Sequence, residues 1–295
     1  MKKKLAIVLC GTSNMIFAIA AAIINFKNIY RGSEYEFIIF NDGKITEKDR
    51  QLINGIHKTI FIEYDFPLKN KLKDKTISVK HFTYMVFAKF ECLKLLDKYK
   101  TVIYTDYDIF IASDISELEI KSISGVKALI NEGSCYNNFI NKIERYNMYA
   151  DSILGGLIVF QDHLKDYNKL YDFCYKITAE YFDNLYFPEQ AGFSLMVQEF
   201  NITYEKLDLN TYCLLPNKYT HFKDAKILHS YGFHKFWNGI KDDSFNLWNE
   251  NYQKWLSIGG SKYKKLDKTL YKFLLKMSWF IPVRKWRDSF RLKFM

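Results

Sequence analysis

Two aspartates one residue apart close a short apolar run, Val102-Ile103-Tyr104-Thr105-Asp106-Tyr107-Asp108. Where an apolar strand ends the backbone turns, and two carboxylates so placed can converge on one hard cation. Oxygen donors suit Mn2+ or Mg2+, and such an ion can bridge the phosphates of a nucleotide. The same Asp-x-Asp pattern also serves as a turn or a helix cap, so it does not decide the matter alone. A second cluster lies far downstream, at His229-Ser230-Tyr231-Gly232-Phe233-His234-Lys235-Phe236-Trp237. A neutral His229 imidazole would complete a metal site. Gly232 would let the backbone approach a phosphate, and Lys235 could neutralise a departing diphosphate. Taken one at a time, these residues also read as a packed histidine, a surface lysine and a core tryptophan.

Such residues need a scaffold that brings strand ends together. Leu5–Leu9 is a short apolar run typical of a strand buried on both faces, and Ile16–Phe26 follows as a helix. Glu36–Phe40 is a second strand, and Thr46 caps a helix to about Asn54 with Asp49 as the acid in its first turn. His57–Glu63 alternates as a third strand. Thr83–Tyr99 has the spacing of one long amphipathic helix, leading into the strand that ends at Asp106. Val126–Asn131, Ser152–Gln161 with its Gly155-Gly156 pair, and Ile227–Ser230 read as further strands. Asp166–Phe182 and Gln190–Phe200 read as helices. The succession β–α–β–α–β predicts an α/β fold with a mainly parallel twisted sheet, flanked by helices, and with ligands at the carboxyl ends of its strands. One domain is expected over residues 1–240, followed by a basic helical tail over 241–295.

At these motifs the sequence resembles the retaining glycosyltransferases of family 8, especially the bacterial lipopolysaccharide galactosyl- and glucosyltransferases, over roughly residues 3–240. Asp106-Tyr107-Asp108 matches the family's metal-binding Asp-x-Asp, and Asp114-Ile115-Ser116-Glu117-Leu118 its continuation. His229, Gly232, Lys235 and Trp237 match its His-x-x-Gly-x-x-Lys-Pro-Trp, with Phe236 in place of the proline. The resemblance implies the Rossmann-like GT-A fold. It also implies Asp106, Asp108 and His229 as ligands to Mn2+ or Mg2+, and a nucleotide-sugar donor, UDP-linked. Tyr107, Gly232 and Lys235 would lie along the donor. Lys89 stands where the family has a donor-contacting arginine, keeping the charge without the bidentate fork. Glu189-Gln190-Ala191 lies where Asp-Gln-Asp is usual, so Gln190 would face the reacting sugar carbon and Glu189 the donor hydroxyls. Leu154-Gly155-Gly156-Leu157 replaces Asn-x-Gly-Val. Thr12-Ser13-Asn14 occupies the base-binding loop without the usual acid. The function so implied is transfer of a hexose, from UDP-galactose or UDP-glucose, to a surface glycan or glycolipid such as lipooligosaccharide or capsule.

Composition narrows the competitors. The net charge is +10, but eleven Lys or Arg against two acids fall between Lys262 and Met295, so the body is nearly neutral. A nucleic-acid binder would carry its charge across the folded face, and none is expected as a partner. The tail interleaves lysines (Lys264, Lys265, Lys268, Lys272, Lys276) with an apolar face and with Trp279 and Trp286. That pattern fits either attachment to an anionic membrane surface or a helix docked on the domain. The expected location is cytoplasmic, peripheral on the inner face of the cell membrane. Lys2-Lys3-Lys4 before Leu5–Cys10 imitates a secretory signal, but Gly11-Thr12-Ser13-Asn14 interrupts the run and a buried strand is the better reading. The five scattered cysteines form neither a disulfide framework nor a Cys-x-x-Cys metal site. A sugar nucleotidyltransferase would want a glycine-rich basic loop after the first strand, which Gly11–Asn14 is not. A non-catalytic basic peripheral membrane protein would leave both motifs unexplained.

Overall fold

The computed structural model describes residues 2–70, 72, 83–221, 223–232, 235–238, 243–263, 273–274, 276–283, 286, 287 and 290. β1 (Lys3–Cys10), β2 (Tyr35–Asn41), β3 (Thr59–Glu63) and β4 (Tyr99–Thr105) are the parallel strands the sequence predicts, hydrogen-bonded in the order β3-β2-β1-β4. β5 (Ile109–Ile111) follows the turn after β4 and leaves the main sheet. β6 (Val126–Asn131), β7 (Ser152–Gln161) and β8 (Glu205–Leu207) complete it as β4-β7-β6-β8. β7 runs antiparallel to both β4 and β6, so the seven-stranded sheet is mixed and mostly parallel. β9 (Ile227–His229) pairs antiparallel with β5 in a separate two-stranded ribbon.

β1 shows why the sheet is buried on both faces. Ala6, Val8 and Cys10 enter one apolar core, while Leu5, Ile7 and Leu9 enter the other. The two-residue side-chain period thus serves both faces at once. Helices α1 (Ile16–Ile29) and α2 (Glu47–Ile56) join the second core. Thr46 accepts the Asp49 amide at 3.1 Å, the cap its position predicts. α3 (Glu91–Leu95), α4 (Tyr167–Tyr181) and α5 (Pro188–Glu199) cover the first core, and α6 (Leu209–Tyr212) is a single short turn leading toward β9.

Thr83–Tyr99 is not one long helix. Tyr84–Phe90 forms a 3-10 segment, α3 follows for a single turn or so, and Tyr99 already begins β4. Met85 through Phe90 are six consecutive buried residues, whereas a surface helix buries only a stripe. The segment is embedded among the sheet and α5, and it tightens accordingly.

Residues beyond 240 begin with α7 (Asp243–Ser257), which packs on α1 and places Trp248 and Trp255 in the second core, both essentially inaccessible. Phe17 of α1 meets Trp237, Tyr252 and Tyr263 at ring-centroid distances of 5.4, 5.7 and 4.8 Å. Ser261 bonds both oxygens of Asp49 at 3.1 and 2.7 Å. Burying each large apolar side chain contributes roughly 1.5–3 kcal/mol, so the chain to Tyr263 is part of the domain's stability. The lysines at 264, 265, 268 and 272 lie outside the described residues. Among those described, no helix is long and apolar enough to cross a membrane.

Candidate functional site

The site forms where β4 runs out. The Asp106 amide donates to the Gly156 carbonyl at 3.1 Å, the last sheet-like bond between β4 and β7, and the chain then turns through Tyr107 into Asp108 and β5. β5 and β9 pair with Ile109 opposite His229, and the Ser230 amide donates to the Asp108 carbonyl at 2.9 Å. This short ribbon brings together two motifs more than a hundred residues apart in sequence.

One atom from each of Asp106, Asp108 and His229 lies within 4.8 Å of the other two. His229 Nε2 is 3.1 Å from Asp108 Oδ1 and 3.6 Å from Asp106 Oδ2. The outward-facing atoms are held separately. Asp106 Oδ1 takes the Tyr104 hydroxyl and the Lys89 ammonium, the latter at 3.2 Å. Asp108 Oδ2 takes the Lys235 ammonium, and His229 Nδ1 meets Cys213 Sγ at 3.4 Å. Three inward-facing donors, two carboxylate oxygens and an imidazole nitrogen, each with its outer partner, could hold a hard or borderline divalent cation.

Electrostatics tighten the group. Burial opposes charge on Asp108, but Lys235 and His229 outweigh it and hold the carboxyl far below the usual carboxylate range. Burial likewise disfavours an imidazolium at His229. The Asp108 charge and hydrogen bond prevail and push it up to about 10. Asp108 thus favours the protonated form of His229 in the metal-free centre.

A second hub adjoins the first. Lys89 is buried, and its ammonium donates to Glu189 Oε1 and to the Gly155 carbonyl, both at 3.0 Å, beside its contact with Asp106. Burial disfavours its charge, yet Asp106 and Glu189 together raise it above the ordinary lysine value. The Gly155-Gly156 pair makes this possible. A Cβ at 155 would sit 2.4 Å from Glu189 Oε1, and one at 156 would sit 2.7 Å from His229 Cε1. Glycine is needed here for close approach, since both positions have ordinary negative-φ backbone.

The remaining expected residues group less tightly. Gln190 is half-buried, beside the buried Glu189 in the first turn of α5. Tyr107 stacks on Trp237 at 6.3 Å. Gly232 is exposed with φ at +76°, a conformation that suits glycine. In the loop after β1, Thr12 and Ser13 are half-buried, Asn14 is exposed, and the Thr12 hydroxyl bonds the Asn14 side chain. An acid reaches that loop from the next one: Asp42, in the turn after β2, accepts from the Ser13 amide at 3.0 Å and its hydroxyl at 3.2 Å. Sequence reasoning missed Asp42, Tyr104 and Cys213. For Asp42 a signal was available: β1 and β2 are adjacent parallel strands, so their following loops must meet.

With this geometry the comparisons with known proteins agree. The profile of Glycosyl transferase family 8 matches residues 6–241. No curated protein matches at the sequence level. The fold is shared with the galactosyltransferase LgtC, solved with donor and acceptor sugar analogues, at 13% identity and a TM-score of 0.63. That alignment covers 86% of this chain and 99% of LgtC. The bifunctional glycosyltransferase WbbM aligns at 16% identity and a TM-score of 0.63 over 88% of this chain, which spans only about half (51%) of WbbM. GlyE of Streptococcus pneumoniae TIGR4 aligns at 14% identity and a TM-score of 0.56, over 86% of this chain and 64% of GlyE. On the family profile, which covers most of the sequence, this chain belongs to glycosyl transferase family 8.

Proposed function

We propose that this chain is a metal-dependent, retaining hexosyltransferase that takes galactose or glucose from a UDP-linked donor and delivers it to a surface glycan or glycolipid. The observation that carries this reading is the convergence of Asp106, Asp108 and His229 beside the Lys235 ammonium. Asp106, Asp108 and His229 would hold Mn2+ or Mg2+, which supplies positive charge to a leaving nucleotide diphosphate.

The chain's own groups do the rest. Lys235 pairs with Asp108 in the free protein and is half-buried, so it can turn to a diphosphate oxygen once another positive charge satisfies Asp108. Lys89 holds Asp106 and Glu189 in one place, leaving the second Glu189 oxygen to accept from donor hydroxyls. Gln190 lies at the start of α5, where its amide oxygen would steady an anomeric carbon that gains positive character as the diphosphate departs. Retention follows if the acceptor hydroxyl attacks from the face the diphosphate leaves. The loop 12–14, braced by Asp42, would receive the base.

The tail reading extends this to location. Trp279, Phe280 and Trp286 are 68%, 81% and 66% exposed, and the Arg287 guanidinium lies 5.0 Å from the Trp279 ring centroid. Exposed indoles among cations favour an anionic membrane surface, on the cytoplasmic face where a lipid-linked glycan would be extended. Unchanged flotation with phosphatidylglycerol liposomes after deletion of 264–295 would remove this part of the reading.

Calorimetry with UDP, with and without Mn2+, followed by hydrolysis of a nucleotide-sugar panel, tests the activity. Metal-dependent UDP binding and turnover of one UDP-hexose are expected. Sugar-nucleotide synthesis from a nucleoside triphosphate and a sugar phosphate would instead identify a nucleotidyltransferase. No nucleotide binding at all would leave a peripheral membrane protein.

A further inference from the structure

We infer that Cys213 is the positioning residue that fixes the His229 ring for the metal, through a hydrogen bond from Nδ1–H to its sulfur. This rests on the proposed metal centre and adds a residue to it.

A histidine that gives Nε2 to a cation must carry its ring proton on Nδ1, and whatever accepts that proton sets the ring's orientation. Here Nδ1 lies 3.4 Å from Cys213 Sγ, while Nε2 on the opposite side faces Asp108 at 3.1 Å and Asp106 at 3.6 Å. His229 is only 5% exposed, so solvent is a poor substitute for the sulfur.

The backbone holds Cys213 in this place. Its amide donates to the Leu209 carbonyl at 2.9 Å, closing α6, whose start is capped by Asp208 accepting the Thr211 amide at 2.7 Å. The next residue, Leu214, then pairs along β9: its amide donates to Ile227 at 3.1 Å, and its carbonyl receives the His229 amide at 2.9 Å. The main chain of Leu214, next to Cys213, is therefore bonded to that of His229, beside the side-chain contact of the two residues. Gly156 bounds the ring on one side, and Tyr231 meets it edge-on at 5.5 Å. The imidazole can pivot little, and the sulfur is the partner of Nδ1 among the described residues. Sequence alone marks Cys213 only as one of five unpaired cysteines.

Valine removes the sulfur acceptor while adding one methyl group, and serine keeps an acceptor at smaller size, so recovery in serine, with folding of both variants confirmed, separates hydrogen bonding from packing. Mn2+ affinity of the full chain is measured by titration calorimetry and by Mn2+ electron paramagnetic resonance, with urea unfolding confirming that each variant folds. Cys213→Val is expected to bind Mn2+ roughly 10–100-fold more weakly, the usual cost of losing a metal histidine's outer partner. Cys213→Ser should recover most of that affinity. Wild-type affinity in Cys213→Val, or equal weakness in both variants, would show that the residue only packs, and would overturn the inference. A wild-type chain that binds no Mn2+ would instead remove the metal centre itself, a failure told apart by the unsubstituted protein.

Discussion

The two ends of the parallel strands each carry a charged cluster around a buried carboxylate, Glu36 at one and Asp108 at the other, and they are finished differently. At the amino end, Glu36 on β2 is closed by the Lys3 and Lys58 ammoniums and the Tyr99 hydroxyl. Burial alone would raise its carboxyl, but these donors outweigh burial and hold it at about 2. At the carboxyl end, Asp106 and Asp108 have lysines only on their outer oxygens, and their inner oxygens face His229. The first cluster is complete with side chains that cannot leave. The second is closed on its inner side by the His229 imidazole, whose protonated form Asp108 favours and whose proton a bound cation would displace. A charged group whose last partner is exchangeable is the mark of a site rather than of scaffolding.

The sharpest way to break this contrast is at Asp108. Asp108→Asn keeps the shape but removes the charge shared by His229 and Lys235, and it should lower sugar transfer by ~10²–10³-fold in a donor turnover assay. Activity within threefold of wild type, about 0.6 kcal/mol on the barrier, would make the carboxyl-end cluster mere scaffolding.

Lys89→Met should act on stability as well as on turnover. It leaves Asp106 and Glu189 without their shared buried cation, a loss of about 3–5 kcal/mol that urea unfolding would detect. An unchanged midpoint would mean that the two carboxylates are satisfied without it.

The exchangeable proton gives a pH prediction. His229 is raised to about 10 by Asp108 in the free protein, so near pH 7 it is protonated and a cation must expel that proton. Mn2+ calorimetry in buffers of different ionisation enthalpy should then report release of about one proton, and affinity should rise as pH climbs toward 10. The same shift stabilises the metal-free fold fully below the unfolded histidine value and ceases to do so as pH rises through about 10. Binding without proton release would contradict the arrangement.

The smallest effect is expected at the amino end. Glu36→Gln should leave turnover unchanged and lower stability modestly above pH 5. Because the native carboxyl is held at about 2, the stabilisation is present above the unfolded value of 4.5 and is lost as pH falls toward 2. The gap between wild type and variant in urea midpoint should therefore close across that interval. A gap that widened in acid would reverse the assignment of Glu36 as scaffolding.

How much of this was legible in the sequence follows from the range of the interactions. β1, β2, β4 and α1 declare themselves because burial on one or two faces writes a local period of two or 3.6 residues. The Thr46–Asp49 cap is equally local. Asp106 and Asp108 are readable for the same reason, being a strand end and its turn. The 3-10 segment Tyr84–Phe90 reads as part of a long amphipathic helix because apolar residues three apart fit either helix type, and its burial on the other sides comes from the sheet and α5, which leave no local mark. The short strands β5 and β8, three residues each, carry too little pattern to stand out.

The amino-acid sequence by itself determined the α/β scaffold, the carboxylate pair at a strand end and the family to which both belong. Only the tertiary structure decided which atoms meet: Lys89 with Glu189, Asp42 with Ser13, and Cys213 with His229. Secondary structure is set by neighbours along the chain. A site is set by which strand ends the sheet order and the β5–β9 ribbon bring within a few ångströms, and no local pattern records that.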